Sequence, residues 1–314
     1  MAENKKLIAV CGPTASGKTA IAIKIANKYR GEIVSCDSMQ IYKGMDIGTA
    51  KPDEEELSKA PHHLIGIIDT DKEFSVVDYI ELASNTINDI QQRGKLPILA
   101  GGTGLYMHSL VYGIDFDNDS RDENIRKDLY KQFEENGIDE LYTELISLDS
   151  AAAEKIHKNN TKRVLRALEY IKTTGKKFSE QSVESECEKR YDVLLLVLSY
   201  KDTSILYNRI NKRVDIMVEK GLEEEVKNFL YEKPYGTTSI QAIGYKEFIP
   251  YFSGEVTKEE AIENVKKSSR HYAKRQNTWF RREKDANWVF VDDFESVSDM
   301  ENHCYKLIDE FLSK

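Results

Sequence analysis

The sequence predicts an α/β fold, a parallel sheet flanked by helices and interrupted by an all-helical subdomain. Three observations predict it. Short apolar runs alternate with segments of helical period, the pattern of βαβ units. The first run meets its helix through Gly12-Pro13-Thr14-Ala15-Ser16-Gly17-Lys18-Thr19, which reads G-x-x-x-x-G-K-T, the phosphate-binding P-loop. From about Glu123 to Arg190 the chain is helical and highly charged with no strand-like run, and strand character then returns. Together these give a P-loop NTPase-like core over residues 1–115 and 191–314, with a helical insertion over 116–190.

The elements follow in order. Leu7-Ile8-Ala9-Val10-Cys11 reads as the first strand. Ala20 to Tyr29, with Ile21, Ile25 and Tyr29 at helical spacing, reads as the first helix. Between them the glycines let the backbone wrap an anion with its N–H groups pointing inward, at a helix N-terminus that favours negative charge. In that setting Lys18 pairs with phosphate oxygens, and the Thr19 hydroxyl suits Mg²⁺, which prefers oxygen ligands and bridges phosphates. The loop signals a phosphate-bearing substrate. It specifies neither ATP nor a kinase.

Gly31 to Cys36 reads as a second strand that delivers Asp37, Ser38, Met39 and Gln40 to its C-terminal end, where open α/β sheets bind ligands. Asp37 there has three readings: a helix N-cap, a Mg²⁺-organising acid, or a general base. The glycine-punctuated stretch Tyr42 to Pro52 reads as a functional loop. His62 and His63 are adjacent and so point to opposite faces of an extended chain, a poor chelate. Ser75 to Arg93 reads as a helix with Val77, Ile80, Ala83, Ile87 and Ile90 as its apolar stripe and Ser75-x-x-Asp78 as its capping box. Lys95 to Ala100 is a further strand. Gly101-Gly102-Thr103-Gly104 follows it as a second glycine-rich turn into a helix, with its backbone open to a ligand and Thr103 as the polar contact.

Asp115 to Asp122 is polar and loop-like. In the insertion, Val164, Leu168 and Ile171 form the buried stripe and leave Arg163 and Arg166 on another face. Tyr191 to Leu198 is the returning strand, and Asp202-Thr203-Ser204 caps the next helix. Leu206, Ile210, Val214 and Met217 point inward there, with Arg209 and Arg213 to the side. Either arginine could give a second phosphate a planar guanidinium fork; spacing alone leaves the choice open. Thr257-x-x-Glu260 caps a long helix running to about Phe280, with Val265, Tyr272, Trp279 and Phe280 near its inner stripe. Lys266 to Arg282 holds seven basic residues and no acid. Trp288 to Val291 is a last strand and Asp299 to Leu312 a terminal amphipathic helix.

The 314 residues suit one large domain or two ordinary ones. The balance of 45 basic against 54 acidic residues, net −9, argues against an indiscriminate nucleic-acid binder. The basic segment within so acidic a chain is therefore segregated charge, the footprint of phosphate-backbone contact. Cys11, Cys36, Cys187 and Cys304 are scattered, which gives neither a disulfide framework nor a zinc site. Cys11 and Cys36 read as small core residues. No signal peptide and no membrane-length apolar run is found, so a cytosolic protein is expected.

A small-metabolite kinase and an enzyme using the loop for a diphosphate while acting on nucleic acid both remain open at this point. The strands ending at Ala100 and Leu198 lack a following acid of the kind that helps hold Mg²⁺ in P-loop NTPases. The basic helix and insertion favour a nucleic-acid substrate.

The chain resembles the bacterial tRNA dimethylallyltransferase (tRNA isopentenyltransferase) family. The residues that carry the resemblance are GPTASGKT (Gly12 to Thr19), DSMQIYKGMDIGTAKP (Asp37 to Pro52), GGTGLY (Gly101 to Tyr106), NTKRVLRALE (Asn160 to Glu169), NRINKRVDIM (Asn208 to Met217), QAIGYKE (Gln241 to Glu247) and AKRQNTWFR (Ala273 to Arg281). They span nearly the whole chain in family order. Plant-type adenylate isopentenyltransferases share the P-loop but have no need of the basic insertion and helix. The resemblance implies transfer of a dimethylallyl group from its diphosphate to N6 of the adenosine 3′ to the anticodon.

Carried onto this chain, Gly12 to Thr19 hold the diphosphate, with Mg²⁺ on Thr19 and Arg213 beside them. Asp37 is the base on N6 and Gln40 grips the adenine. The resemblance assigns tRNA contacts to Asp37, Ser38, Met39, Gln40 and Thr103; to Arg126, Lys162, Arg163, Val164, Leu165 and Arg166 of the insertion; and to Gln241, Gly244, Lys246, Lys274 and Arg275. The expected partners are a tRNA anticodon stem-loop and dimethylallyl diphosphate, and the expected state is a monomer. Longer eukaryotic members carry a zinc-finger extension, which the resemblance to the bacterial type does not lead us to expect here.

Overall fold

The computed structural model describes residues 6–113, 122–180, 189–232 and 234–314. In chain order the elements are β1 (Lys6–Cys11), α1 (Lys18–Tyr29), β2 (Gly31–Ser35), α2 (Glu54–Lys59), β3 (His62–His63), α3 (Val76–Gln92), β4 (Leu96–Gly101), α4 (Gly104–Tyr112), α5 (Glu123–Asn136), α6 (Ile138–Leu148), α7 (Ser150–Lys155), α8 (Thr161–Thr174), β5 (Asp192–Ser199), α9 (Thr203–Glu219), α10 (Leu222–Glu232), α11 (Ile249–Phe252), α12 (Lys258–Phe280), β6 (Ala286–Phe290) and α13 (Val297–Leu312). The chain divides into two compact units, Met1–Tyr112 with Lys189–Lys314, and Gly113–Glu188.

The first unit is built on one six-stranded parallel sheet of order β3-β2-β4-β1-β5-β6. Successive strand residues point to opposite faces, so a strand covered on both sides reads as an unbroken apolar run. β1 shows this directly. Leu7, Ala9 and Cys11 face a core shared with α3, α4, α10 and α12, while Ile8 and Val10 face a core closed by α1 and α13. Each large aliphatic side chain buried this way contributes about 1.5–3 kcal/mol. The order of the sheet switches direction at β1 and β4, which opens a crevice at the carboxyl ends of the strands. The P-loop after β1, Asp37 after β2 and the glycine turn after β4 all lie at that edge.

Local signals match their elements. Ser75 and Thr257 cap α3 and α12 in complete capping boxes, and Asp202 caps α9 by accepting from the Ser204 N–H. Cys11, Cys36 and Cys304 are buried and free, whereas Cys187 lies outside the described residues. Three expectations need correction. The buried stripe of α3 is Tyr79, Ala83, Ile87 and Ile90, and Val76 rather than Val77 packs on the core. A two-residue strand at His62–His63 extends the sheet, because parallel pairing to Ile33 and Val34 supplies what its polar sequence does not. Two further helices, α2 and α10, follow Asp53 and Gly221.

At the other end of β2, Glu32 is buried and accepts both guanidinium N–H groups of Arg93, and the His63 Nε2 lies 2.8 Å from its Oε2. The Arg93 hydrogen bonds, helped by His63 against the cost of burial, hold the Glu32 carboxyl down at about 2. A lowered carboxyl stabilises the fold above its unfolded value of about 4.5, and that stability is lost as pH falls toward 2. Because Arg93 is 42% exposed, solvent screening reduces the effect to about 1–2 kcal/mol. Urea melts should show Glu32→Gln less stable than the parent at pH 7, with the gap closing between pH 4.5 and 2. A gap independent of pH contradicts this.

The second unit is a helical cluster. Leu129 of α5, Leu141 and Leu145 of α6, Ala152 of α7 and Val164, Leu165 and Leu168 of α8 form its core. Asp122 and Asp149 cap α5 and α7. Residues 115–121 of the expected polar loop lie outside the described residues. No described helix is long and apolar enough to cross a membrane.

Candidate active site

The P-loop joins β1 to α1. A Cβ at Gly12 would sit 2.1 Å from the Leu198 carbonyl oxygen of β5, so only glycine allows this approach. Gly17, at φ +96°, occupies the α1 N-cap position and offers no side-chain cap, which leaves the first helix N–H groups for an anion. Ala15 takes φ +63°, a left-handed conformation that costs a non-glycine residue about 1–2 kcal/mol. That strain is held by packing of Ala15 against Leu206, Ile210 and Ala273 of α9 and α12. Ser16 is buried and its hydroxyl finds no partner among the described residues.

Both arginines of α9 reach this loop. Arg213 donates Nη1–H to the Thr14 hydroxyl at 3.0 Å, and Arg209 donates Nε–H to the Ala15 carbonyl at 3.0 Å. Arg213 is the half-buried one, and burial lowers its pKa from the ordinary arginine value. Lys18 donates to the Pro13 carbonyl at 2.6 Å. Burial, and then repulsion from Arg213, bring its ammonium down to about 8, while Asp37 pulls it back up. Gln276 of α12 clamps the loop from the other side. Its Oε1 accepts from Thr14 N at 2.9 Å and its Nε2 donates to Gly102 O at 3.0 Å.

Asp37 uses one oxygen structurally. Its Oδ1 accepts from Met39 N at 2.9 Å and Gln40 N at 3.3 Å, which closes the turn after β2. Among the described residues Oδ2 takes no hydrogen bond. Ser38 N donates to the Thr103 hydroxyl at 3.1 Å, so Thr103 ties the two strand ends together. The Gln40 amide donates to the carbonyls of Thr49 and Ala50 at 3.3 and 3.1 Å.

Two cavities flank the loop. The first, about 260 Å³, is lined by Asp37, Ser38, Met39 and Gln40, by Thr14, Lys18, Thr19 and Arg213, and at its rim by Gln241, Lys246 and Arg275. The second, about 940 Å³, has Arg209, Lys212 and Lys220 along one side with Ala15 and Gly17, and Asp46, Asp53, Glu54 and Glu56 also line it. Lys18, Thr19, Ala50, Arg213 and Met217 line both. Thr19 and Asp37 thus meet in one cavity. Among the described residues no cluster of three or more His, Cys, Asp or Glu could hold a metal. The Thr19 hydroxyl and the Asp37 carboxylate are hard oxygen donors, the kind that Mg²⁺ prefers.

Gly101 and Gly102 line the first cavity, and Gly101, Gly102 and Gly104 are also required by close neighbours. A Cβ at these positions would lie 2.0 Å from the Cys36 carbonyl, 2.1 Å from the Gln276 amide and 2.1 Å from the Trp279 ring. Gly244 is buried in a left-handed turn at φ +98°, and Lys274 is exposed on α12. In the second unit Arg126, Lys162 and Arg163 are exposed, and Arg166 pairs with Glu169 at 3.2 Å. Val164 and Leu165 are 0% and 4% exposed in the helical core, so their side chains are not on the surface. Gln276, which spacing gave no role, and Tyr272, expected only to pack on the inner stripe, both line the first cavity. Burial, with the Asp37 charge beside it, holds the Tyr272 phenol above its ordinary value, a neutral donor at working pH.

A model of the IPP transferase family matches residues 40–283. The tRNA dimethylallyltransferase of Caldanaerobacter subterraneus subsp. tengcongensis is 44% identical over 308 residues, covering 96% of this chain and 97% of that protein. The crystal structure of the full-length tRNA isopentenylpyrophosphate transferase from Bacillus halodurans superposes with a TM-score of 0.73 at 41% identity, covering 98% of each chain. A eukaryotic dimethylallyltransferase acting on tRNA superposes with a TM-score of 0.78 at 32% identity, over 91% of this chain and 74% of its own. With its P-loop, its two adjoining cavities and this breadth of similarity, the chain belongs to the IPP transferase family.

Proposed function

We propose that the protein transfers a dimethylallyl group from dimethylallyl diphosphate to N6 of the adenosine 3′ to the anticodon in tRNA. One observation carries the reading: a phosphate-binding loop stands between two cavities, and Asp37 lines one of them together with Lys18, Thr19 and Arg213. The diphosphate enters through the second cavity, along its Arg209 and Lys212 side, and the target base enters the first. Ile210, Val214, Met217 and Val265 give the first cavity an apolar wall suited to a five-carbon chain.

In the reaction the bond between the allylic carbon and the diphosphate oxygen breaks, and a bond from N6 to that carbon forms. The N6 proton passes to the Asp37 Oδ2, and diphosphate leaves. The P-loop N–H groups, Lys18 and Arg213 meet the charge that grows on the leaving group. Mg²⁺ held by Thr19 and the diphosphate oxygens, with Asp37 close by, would supply further charge neutralisation there. The adenine amine is a weak nucleophile because its lone pair is delocalised, so a base that takes its proton during attack contributes about 100- to 10,000-fold. The base edge is assigned to Gln40, which lines the first cavity.

The target base must leave its stack, at a few kcal/mol. Single-stranded loops are suited to this, because their bases splay out and are read individually. Lys274, Arg275 and Lys246 on the first unit, and Arg126, Lys162 and Arg163 on the second, give exposed cations for the RNA phosphates.

The test is transfer of labelled dimethylallyl from its diphosphate to an anticodon stem-loop RNA, with AMP and ATP in parallel. The reading predicts label on the RNA and none on the nucleotides. Label on free AMP, or ATP hydrolysis without transfer, would replace it with an adenylate prenyltransferase or a kinase.

A further inference from the structure

Residues 46–50 belong to no helix or strand; Gly48, Thr49 and Ala50 line the first cavity and Asp46, Ile47 and Ala50 the second. A single carboxylate holds this loop. Glu225, in the first turns of α10, accepts from Asp46 N at 2.9 Å and Ile47 N at 2.8 Å on Oε2, and from Gly48 N at 2.8 Å on Oε1. Three successive N–H groups converging on one point form an anion-binding nest, here filled by the protein's own acid. The Tyr245 hydroxyl adds a fourth hydrogen bond to Oε1 at 2.6 Å. Tyr245 is fully buried, and its ring meets Phe229 edge-on at 5.0 Å. Burial, and then the Glu225 charge, raise its phenol well above the ordinary value, so it remains a donor. Gly48 is required as well, since a Cβ there would lie 2.5 Å from the Tyr245 ring.

The loop in turn fixes groups of the site. The Thr49 hydroxyl closes onto Met45 O at 2.6 Å. The next two carbonyls, Thr49 O and Ala50 O, hold the Gln40 amide, and Ala50 O lies 3.5 Å from Arg213 Nη2. Without the carboxylate, three neighbouring N–H groups lose their common acceptor, and the carbonyls that aim Gln40 lose their fixed position. We propose that Glu225 is a positioning residue for base recognition, acting through the 46–50 loop on Gln40 and not touching any reacting atom. The proposal rests on the prenyl-transfer reading above.

Amide exchange and steady-state kinetics on the full-length protein test it. In Glu225→Gln, exchange of the 46–48 amides should accelerate by about tenfold or more. Its kcat/KM for the stem-loop RNA should fall about 30-fold, while KM for dimethylallyl diphosphate moves less than about threefold, because Gln276, Arg209 and Arg213 bond the P-loop directly and this loop reaches it only through the long Ala50 O–Arg213 contact. Parental exchange rates, or equal losses toward both substrates, overturn the proposal; equal losses are what general destabilisation would give. If Glu225→Gln does not fold, Tyr245→Phe keeps the ring and removes one of the four hydrogen bonds. It should show the same pattern at about threefold, and unchanged exchange there overturns the proposal equally. Parent protein that transfers no label refutes the prenyl-transfer reading itself, and the exchange experiment still decides whether Glu225 holds the loop.

Discussion

Asp37→Asn should slow dimethylallyl transfer by about 100- to 10,000-fold while changing RNA affinity by less than about threefold. Asparagine is the informative replacement because of how the carboxylate is divided. Oδ1 accepts from Met39 N and Gln40 N, and an asparagine oxygen keeps that turn. The amide has no basic oxygen to offer in place of Oδ2, so only the proton acceptor is lost. Asp37→Ala removes both functions, and its additional loss measures the turn. Single-turnover rates at saturating RNA separate these effects from binding. A near-parental rate for Asp37→Asn would mean that N6 is deprotonated elsewhere, and Asp37 would then be a turn residue or a metal-organising acid.

The second large effect is expected at Lys18. Lys18→Ala should lower kcat/KM for dimethylallyl diphosphate by about 100- to 1,000-fold, the usual loss on removing a preorganised charge from a leaving group. The same residue predicts a pH dependence. Burial first and Arg213 second bring its ammonium to about 8, so it loses its proton as pH rises through that value. The anionic ligand favours the protonated form. Affinity is therefore greatest below pH 8 and falls by about tenfold per pH unit above it. The ligand's own last ionisation is centred near pH 6, well below this break. Calorimetric titration of dimethylallyl diphosphate between pH 6.5 and 9.5 reads the break, and Arg213→Leu should move it upward by removing the repulsive neighbour. A flat profile contradicts the assignment of Lys18 to the diphosphate.

What the sequence made legible was local. The P-loop, the strand that brings Asp37 to the sheet edge and the capping boxes at Ser75 and Thr257 depend on short spacings, and the structure has them where those spacings put them. The choice between Arg209 and Arg213 was not legible, because spacing places both on one side of α9; both reach the loop, and only Arg213 lines both cavities. The glycine turn Gly101–Gly104 was legible only in part for a related reason: Gly101 and Gly102 line the first cavity, but the turn also packs against helix α12. A glycine needed for a ligand and a glycine needed for a neighbouring helix look alike until Gln276 and Trp279 are in place.

Gln276 and Glu225 act on backbone groups 262 and 177 to 179 residues away in the chain. No periodicity encodes such a contact; only the tertiary fold brings the side chain to its amides. In α8, residues at consecutive positions serve opposite purposes. Lys162 and Arg163 are exposed, and Val164 and Leu165 build the core that orients them. A family segment taken whole does not separate these roles, whereas burial does.

The central claim is that the exocyclic amine of one loop adenosine attacks the dimethylallyl carbon. The most direct measurement uses two anticodon stem-loops that differ at one position, adenosine 3′ to the anticodon in one and inosine in the other. Inosine keeps the ring, the stacking and the backbone charge but replaces the N6 amine with an oxygen. The account predicts labelled N6-isopentenyladenosine in a nuclease digest of the first RNA and no label in the second. Label in the inosine loop, or at any other residue of the adenosine loop, would contradict it.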